Sequence, residues 1–162
     1  MTSIPTLLST GHRLFSALLM EARVAMEEGD WADAQACLAE FARRLEAHMH
    51  AEETVLFPRL EGLGVAAEAI LAQCRSEHGD IRSRISVAVA AADARDREAC
   101  DALLVHLIDA LSRHCQAEER SLYTLTEAMG DDDLGTLAGA LSHANDQGKT
   151  AGRELPPNPR LH

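Results

Sequence analysis

Aromatic residues are scarce, at 3% of the chain with one Trp and one Tyr, which argues against an aromatic-rich β-sandwich and a base-stacking platform for nucleic acid. Positive charge is short as well. With 15 Lys and Arg against 26 Asp and Glu, the formal charge is −11, so the chain repels phosphate backbones and anionic lipid surfaces, and neither nucleic acid nor membrane is an expected partner. The four cysteines, Cys37, Cys74, Cys100 and Cys115, form no CxxC pair. The N-terminus also lacks the basic segment, apolar run and small-residue cleavage site of an exported chain, so free thiols and a cytoplasmic location are expected. No apolar stretch reaches the ~20 residues that span a bilayer, because charges interrupt every hydrophobic segment.

What remains is an ordinary globular composition. Hydrophobic residues make up 46% and charged residues 25% of 162 positions, enough length for one domain with a sizeable core. Apolar residues recur at steps of three and four: Leu8, Phe15, Leu19; Leu38, Phe41, Leu45, Val55; Leu71, Ile81, Ile85; Leu104, Leu107, Leu111, Leu122, Leu125. That is the period of a helix, and no alternating strand pattern lies between the stripes. Breakers fall at Gly29-Asp30, at Pro58 with Gly62 and Gly64, at Asp93 to Asp96, and at Gly130, dividing the chain into four helices whose short loops make neighbours antiparallel. Asp30 and Asp96 are placed to cap the second and fourth helices, and Gly130 to supply a left-handed helix end. A fifth amphipathic segment, Leu134 to about His143, follows the Asp131-Asp132-Asp133 run, whose charge suits a helix N-terminus. The pattern predicts an all-α protein: an antiparallel up-down four-helix bundle with a short C-terminal fifth helix. Residues 1–147 are expected to form this domain, and 148–162 a flexible tail with little to bury.

Histidine interrupts the apolar stripes. Of eight histidines, His12, His48, His78 and His114 stand in the core register, and Glu52 and Glu118 follow the second and fourth of these by four residues. Residues i and i+4 lie roughly 40° apart and one turn along a helix, so each His and Glu converge on one point. The spacing repeats: His12 to His48 and His78 to His114 are both 36 residues, and a 66-residue shift lays His48–Phe57 onto His114–Tyr123 with five identities and an aromatic match. The chain is therefore a duplicated helical hairpin. Packing the two hairpins about a pseudo-twofold brings four His and two Glu to the bundle centre, where helical bundles build metal sites, and predicts a two-metal centre bridged by Glu52 and Glu118. Imidazole and carboxylate suit iron, manganese or zinc. Without cations, two buried carboxylates side by side would cost several kcal/mol each.

The order His12, His48-x-x-x-Glu52, His78, His114-x-x-x-Glu118 resembles the hemerythrin-like, or HHE cation-binding, family over roughly residues 4–128. The run His48-x-x-x-Glu52-Glu53 followed by Leu56-Phe57-Pro58 resembles that family's second helix and its ending. The resemblance implies a non-haem di-iron centre with the four histidines as terminal ligands and the two glutamates as bridges. It also implies a small molecule such as dioxygen or nitric oxide binding at an open iron position, for sensing, storage or redox response. Oxygen-carrying hemerythrins place a further His four residues before the third-helix ligand; Cys74 stands there and is expected to line the pocket as a small side chain rather than ligate. Fewer protein ligands favour a sensor, store or redox role over a reversible carrier. The same resemblance admits a di-iron enzyme or repair factor that reduces peroxide or donates iron to damaged iron–sulfur clusters, although the repair branch often carries an N-terminal cysteine-bearing domain and His12 lies almost at the start. A third reading has zinc holding the bundle closed.

Other polar residues read as surface. His50 lies about 200° around the helix from His48, and His106, Glu53 and Glu119 are also rotated away from the site face; His106 is near enough to the core stripe for an outer hydrogen bond. Phe57 and Tyr123 are expected to pack between helices near the bundle end, Trp31 to anchor the first turn of its helix, and Cys37, Cys100 and Cys115 to act as small hydrophobes or exposed thiols.

Overall fold

Helices form wherever the three- and four-residue spacing runs, and no strand occurs among the described residues. A computed structural model describes residues 4–127, 129 and 131–150. Helix α1 covers Ile4–Glu28 and α2 Trp31–Ala51; a π-helical turn, Glu52–Leu56, joins α2 to the short α3, Phe57–Leu60; then come α4 (Val65–Asp93), α5 (Arg97–Thr126) and α6 (Asp131–Thr150). Helix α1 packs beside α2 and α5, and α4 beside α5 and α2, closing the ring of an antiparallel up-down bundle. Helix α6 lies against α2, α1 and the π turn. It begins at Asp131 and runs well past His143, so it is longer than its apolar pattern suggests. The expectations for Gly130 and for residues from 151 onward lie outside the described residues. Among the described residues, no helix is long and apolar enough to cross a membrane.

The duplication is visible in the turns. Gly29 N–H donates to Met26 O (3.1 Å) and Asp30 N–H to Ala25 O (2.9 Å); sixty-six residues on, Arg95 N–H donates to Ala92 O (3.1 Å) and Asp96 N–H to Ala91 O (3.0 Å). Both helix ends thus use a paired closing motif that needs a left-handed residue. Gly29 supplies it at φ 78°, but its counterpart Arg95 adopts φ 54°, a conformation that crowds any Cβ. Each turn's Asp then caps the next helix, Asp30 accepting from Asp33 N–H and Asp96 from Ala99 N–H, both at 3.1 Å, as expected.

Pro58 does not end the second helix. Helical structure continues through Leu60, with Pro58 in the first turn of α3, and the chain turns between there and Val65. Within an α-helix, the Pro58 ring would collide with the carbonyl four residues back. The π turn just before it widens the helix, and Phe57 N–H reaches back five residues to Glu52 O. The shifted counterpart of Pro58 is Thr124, and α5 stays α-helical there. The extra residue also rotates the stripe, so that Leu56 and Phe57 are fully buried and Val55 only half so. At the third turn, Asp93 is still helical and the break lies just beyond it.

Two apolar clusters fill the bundle. One is built around Phe15, Leu19, Phe41, Ile81, Leu104 and Leu107, and Trp31 packs against its edge; the other holds Leu56, Phe57, Leu60, Leu71, Cys74, Leu122 and, from α6, Leu137 and Leu141. Burying each Leu or Phe contributes about 1.5–3 kcal/mol. Between the clusters, at one level of the bundle, lie the buried polar side chains His12, His48, Glu52, His78, His114 and Glu118.

Candidate metal centre

Each of the four long helices delivers an imidazole to this level: His12 from α1, His48 from α2, His78 from α4 and His114 from α5. Glu118 stands one turn beyond His114, and Glu52 opens the π turn one residue after α2 ends. All six residues singled out by the sequence pattern are therefore brought together, with Glu52 and Glu118 each 1% exposed and His78 fully buried. Donor atoms of His12, His48, Glu52 and Glu118 lie within 4.8 Å of one another, as do those of His78, His114 and Glu118. Glu118 belongs to both groups. Glu52 also spans them, with Oε1 2.9 Å from His48 Nε2 and Oε2 3.5 Å from His78 Nε2. Glu118 lies 3.6 Å from both His12 Nε2 and His114 Nε2 and 3.9 Å from His78 Nε2.

These approaches are not hydrogen bonds. The Nε2 atoms of His12, His48 and His78 and all four carboxylate oxygens of Glu52 and Glu118 are buried with no hydrogen-bond partner. An unmatched buried carboxylate is costly, and here the lone pairs of nitrogen and oxygen converge on shared points. Such a donor set fits divalent or trivalent cations.

The far sides of the rings have partners. His12 Nδ1 donates to Glu119 Oε1 (2.8 Å), His78 Nδ1 to Glu53 Oε1 (2.7 Å) and His114 Nδ1 to Glu77 Oε2 (2.7 Å). A carboxylate on Nδ1 fixes the tautomer and turns the Nε2 lone pair inward. Glu53 is itself held by Arg82, whose nitrogens reach it at 2.9 and 3.1 Å and reach Glu46 at 2.8 and 3.0 Å. Gln73 donates to Glu77 at 2.8 Å. His48 is the exception: the backbone of Gly11 faces its ring, and a Cβ on Gly11 would lie 3.3 Å from His48 Nδ1 and Cε1.

Considering the protein groups alone, burial pulls the His12 imidazole down, but the Cys115 thiol, Glu118 and Glu119 outweigh it and lift the value to about 11, so a cation taken up at Nε2 would displace a proton there. Burial pushes Glu118 up, and the His12 imidazole 3.6 Å away, with the nearby His114 and His48, carries it below the ordinary carboxylate range. Glu53 and Glu77 are likewise held low against their burial, by Arg82 and His78 and by His114 and Gln73. Burial, then Glu118, Glu77 and Glu52, pushes the Cys74 thiol up to about 12. Cys74 is in neither donor group and packs in the apolar cluster with Leu71 and Leu122.

The structure corrects the surface assignment of Glu53 and Glu119, since both orient site histidines from positions beside the stripe. One signal was present in the chain: they are matched glutamates under the 66-residue shift, and their contacts, Glu53 to His78 and Glu119 to His12, obey the same symmetry. Glu77 and Arg82 carry no comparable mark, because their counterparts are Gly11 and Ser16. His50 and His106 are exposed as expected. Phe57 is fully buried and stacks on His78 with ring centres 5.8 Å apart, closer to the site than a packing role at the bundle end implies. Cys37, Cys100 and Cys115 are buried and unpaired. The side chains of Leu8 and Tyr123 lie outside those described.

Compared with known proteins, residues 3–126 match the family described as Hemerythrin HHE cation binding domain. No curated protein and no solved structure matches the chain.

Proposed function

Because the chain belongs to the hemerythrin HHE cation-binding domain family, we propose that its buried cluster holds two iron ions that bind dioxygen or a related diatomic such as nitric oxide. The use would be sensing, storage or redox response. In this reading His12, His48, His78 and His114 are terminal ligands, and Glu52 and Glu118 bridge. The observation that carries it is the set of seven buried nitrogen and oxygen atoms that converge without a hydrogen bond among them; manganese or zinc would satisfy the same donors. Iron, when bound, would supply a redox-active centre able to take up a small diatomic.

The chain's own residues prepare that centre. Glu119, Glu53 and Glu77 hold three imidazoles in the tautomer that presents Nε2. Glu118, within reach of three histidines, draws the two halves together. Leu71, Cys74, Leu122 and Phe57 form an apolar cluster beside the site, with the Phe57 ring stacked on His78, surroundings that suit an uncharged ligand better than a polar substrate. Four buried, unpaired thiols suit a reducing, cytoplasmic setting.

The test is anaerobic loading with ferrous iron followed by titration with dioxygen and with nitric oxide, monitored by visible absorption. The reading predicts a saturable spectral change at about one diatomic per two irons, lost in Glu118→Ala. Loaded protein that shows no spectral response to either gas would overturn the diatomic assignment.

A further inference from the structure

The two halves of the centre are alike in their inner donors and unlike in what stands behind them. On the His78/His114 side, both imidazoles donate to a carboxylate, and each carboxylate is held in turn: Glu53 by Arg82, and Glu77 by Gln73. On the His12/His48 side, the 66-residue shift puts Ser16 in place of Arg82, Leu7 in place of Gln73 and Gly11 in place of Glu77. Glu119 does accept from His12, but its side chain is 40% exposed and no second residue fixes it among those described. His48 Nδ1 has no acceptor among the described residues, and the side on which Gly11 lacks a side chain is turned toward it, a Cβ there falling 3.3 Å away.

Acceptors behind a ligating imidazole set its orientation and raise its basicity, and losing one costs about 10–100-fold in metal affinity. Resting on the two-ion reading above, we propose that the two cation positions are unequal: the His78/His114 position binds more tightly and fills first, and the His12/His48 position binds second. The asymmetry lies at three of the positions where the two hairpins differ, and it allows a stable one-ion form or two different metals in one chain.

The experiment is an equilibrium titration of the full chain with cobalt(II), in competition with a chromogenic chelator and read by the cobalt ligand-field spectrum. Two steps are expected, separated by about tenfold or more. Glu53→Gln should weaken the first step by about 10–100-fold and leave the second nearly unchanged, whereas Glu119→Gln should weaken only the second. Arg82→Ala, which removes the half-buried guanidinium that holds Glu53, should act on the first step in the same direction, and it keeps the test decisive if Glu53→Gln fails to fold. Two ions bound with equal affinity would overturn the inference, as would Glu119→Gln weakening the first step. A wild-type chain that binds no pair of ions would instead overturn the two-ion reading itself.

Discussion

Replacing Gly11 with Ala sets a gain in helix stability against a loss at the site. Gly11 lies in the interior of α1, where Ala is favoured over Gly by about 1 kcal/mol; alone this would raise the melting temperature of a chain this size by about 2–4 °C. The new methyl, however, would sit 3.3 Å from His48 Cε1 and Nδ1 and 3.6 Å from Phe15 Cε2, and the His48 contact is inside the ~3.5–4.0 Å of a relaxed contact. The ring must yield by a few tenths of an ångström. It has little room, since Phe15 and His12 stand edge-on with centres 5.2 Å away and Glu52 lies 2.9 Å beyond Nε2. Turning it off its rotamer costs roughly 0.5–1.5 kcal/mol, which cancels the helix gain. Metal–ligand distances tolerate only about ±0.2 Å. Gly11→Ala should therefore leave the stability of chelator-treated protein within about 1 kcal/mol of wild type while weakening one metal-binding step by about tenfold. Far-ultraviolet circular dichroism melts and calorimetric metal titration measure the two quantities. A full gain in stability with both affinities intact would refute the claim that His48 is boxed in.

Arg95→Gly should stabilise the protein by about 0.5–1 kcal/mol in urea unfolding, because it relieves a left-handed Arg at some cost in unfolded-chain entropy; destabilisation would show that the Arg95 side chain outweighs its backbone. Phe57→Ala should cost about 3–5 kcal/mol, and its loss from the face of His78 should weaken metal binding too; a change under about 1 kcal/mol in chemical denaturation would contradict its place in the core. Glu53 and Glu77 have folded values below their unfolded ones, so their stabilising effect is present above about pH 4.5 and is lost as pH falls through the depressed values. Melting temperatures of chelator-treated protein should thus change little on this account from neutral pH to about 5 and fall below it; Glu53→Gln should show a shallower acid fall, and an identical acid fall would sink the assignment.

The bundle and the six inward-facing residues were legible because both follow from helical periodicity. Two helix positions four apart face one point whatever the rest of the chain does, and the 66-residue repeat fixed how the two hairpins face each other. The outer partners were not legible from one helix alone. Glu53 and Glu119 lie off the apolar stripe of their own helices and meet His78 and His12 on other helices, so their roles depend on how the helices are set side by side. Pro58 was misread as a stop for a local reason: a proline can end a helix or be accommodated by widening the turn before it, and here the π turn carrying Glu52 is that accommodation. Gly11 and Arg95 gain meaning only by comparison with Glu77 and Gly29, the residues that occupy the matched places in the other hairpin.

The most direct test of the central claim is an elemental count of metal per chain, by mass spectrometry on untagged protein expressed in iron-sufficient medium. The account predicts about two irons per chain, the same in His50→Ala, and loss of the stoichiometric pair in Glu52→Ala and Glu118→Ala. No metal in the wild-type chain, or two ions retained in both Glu variants, would contradict it.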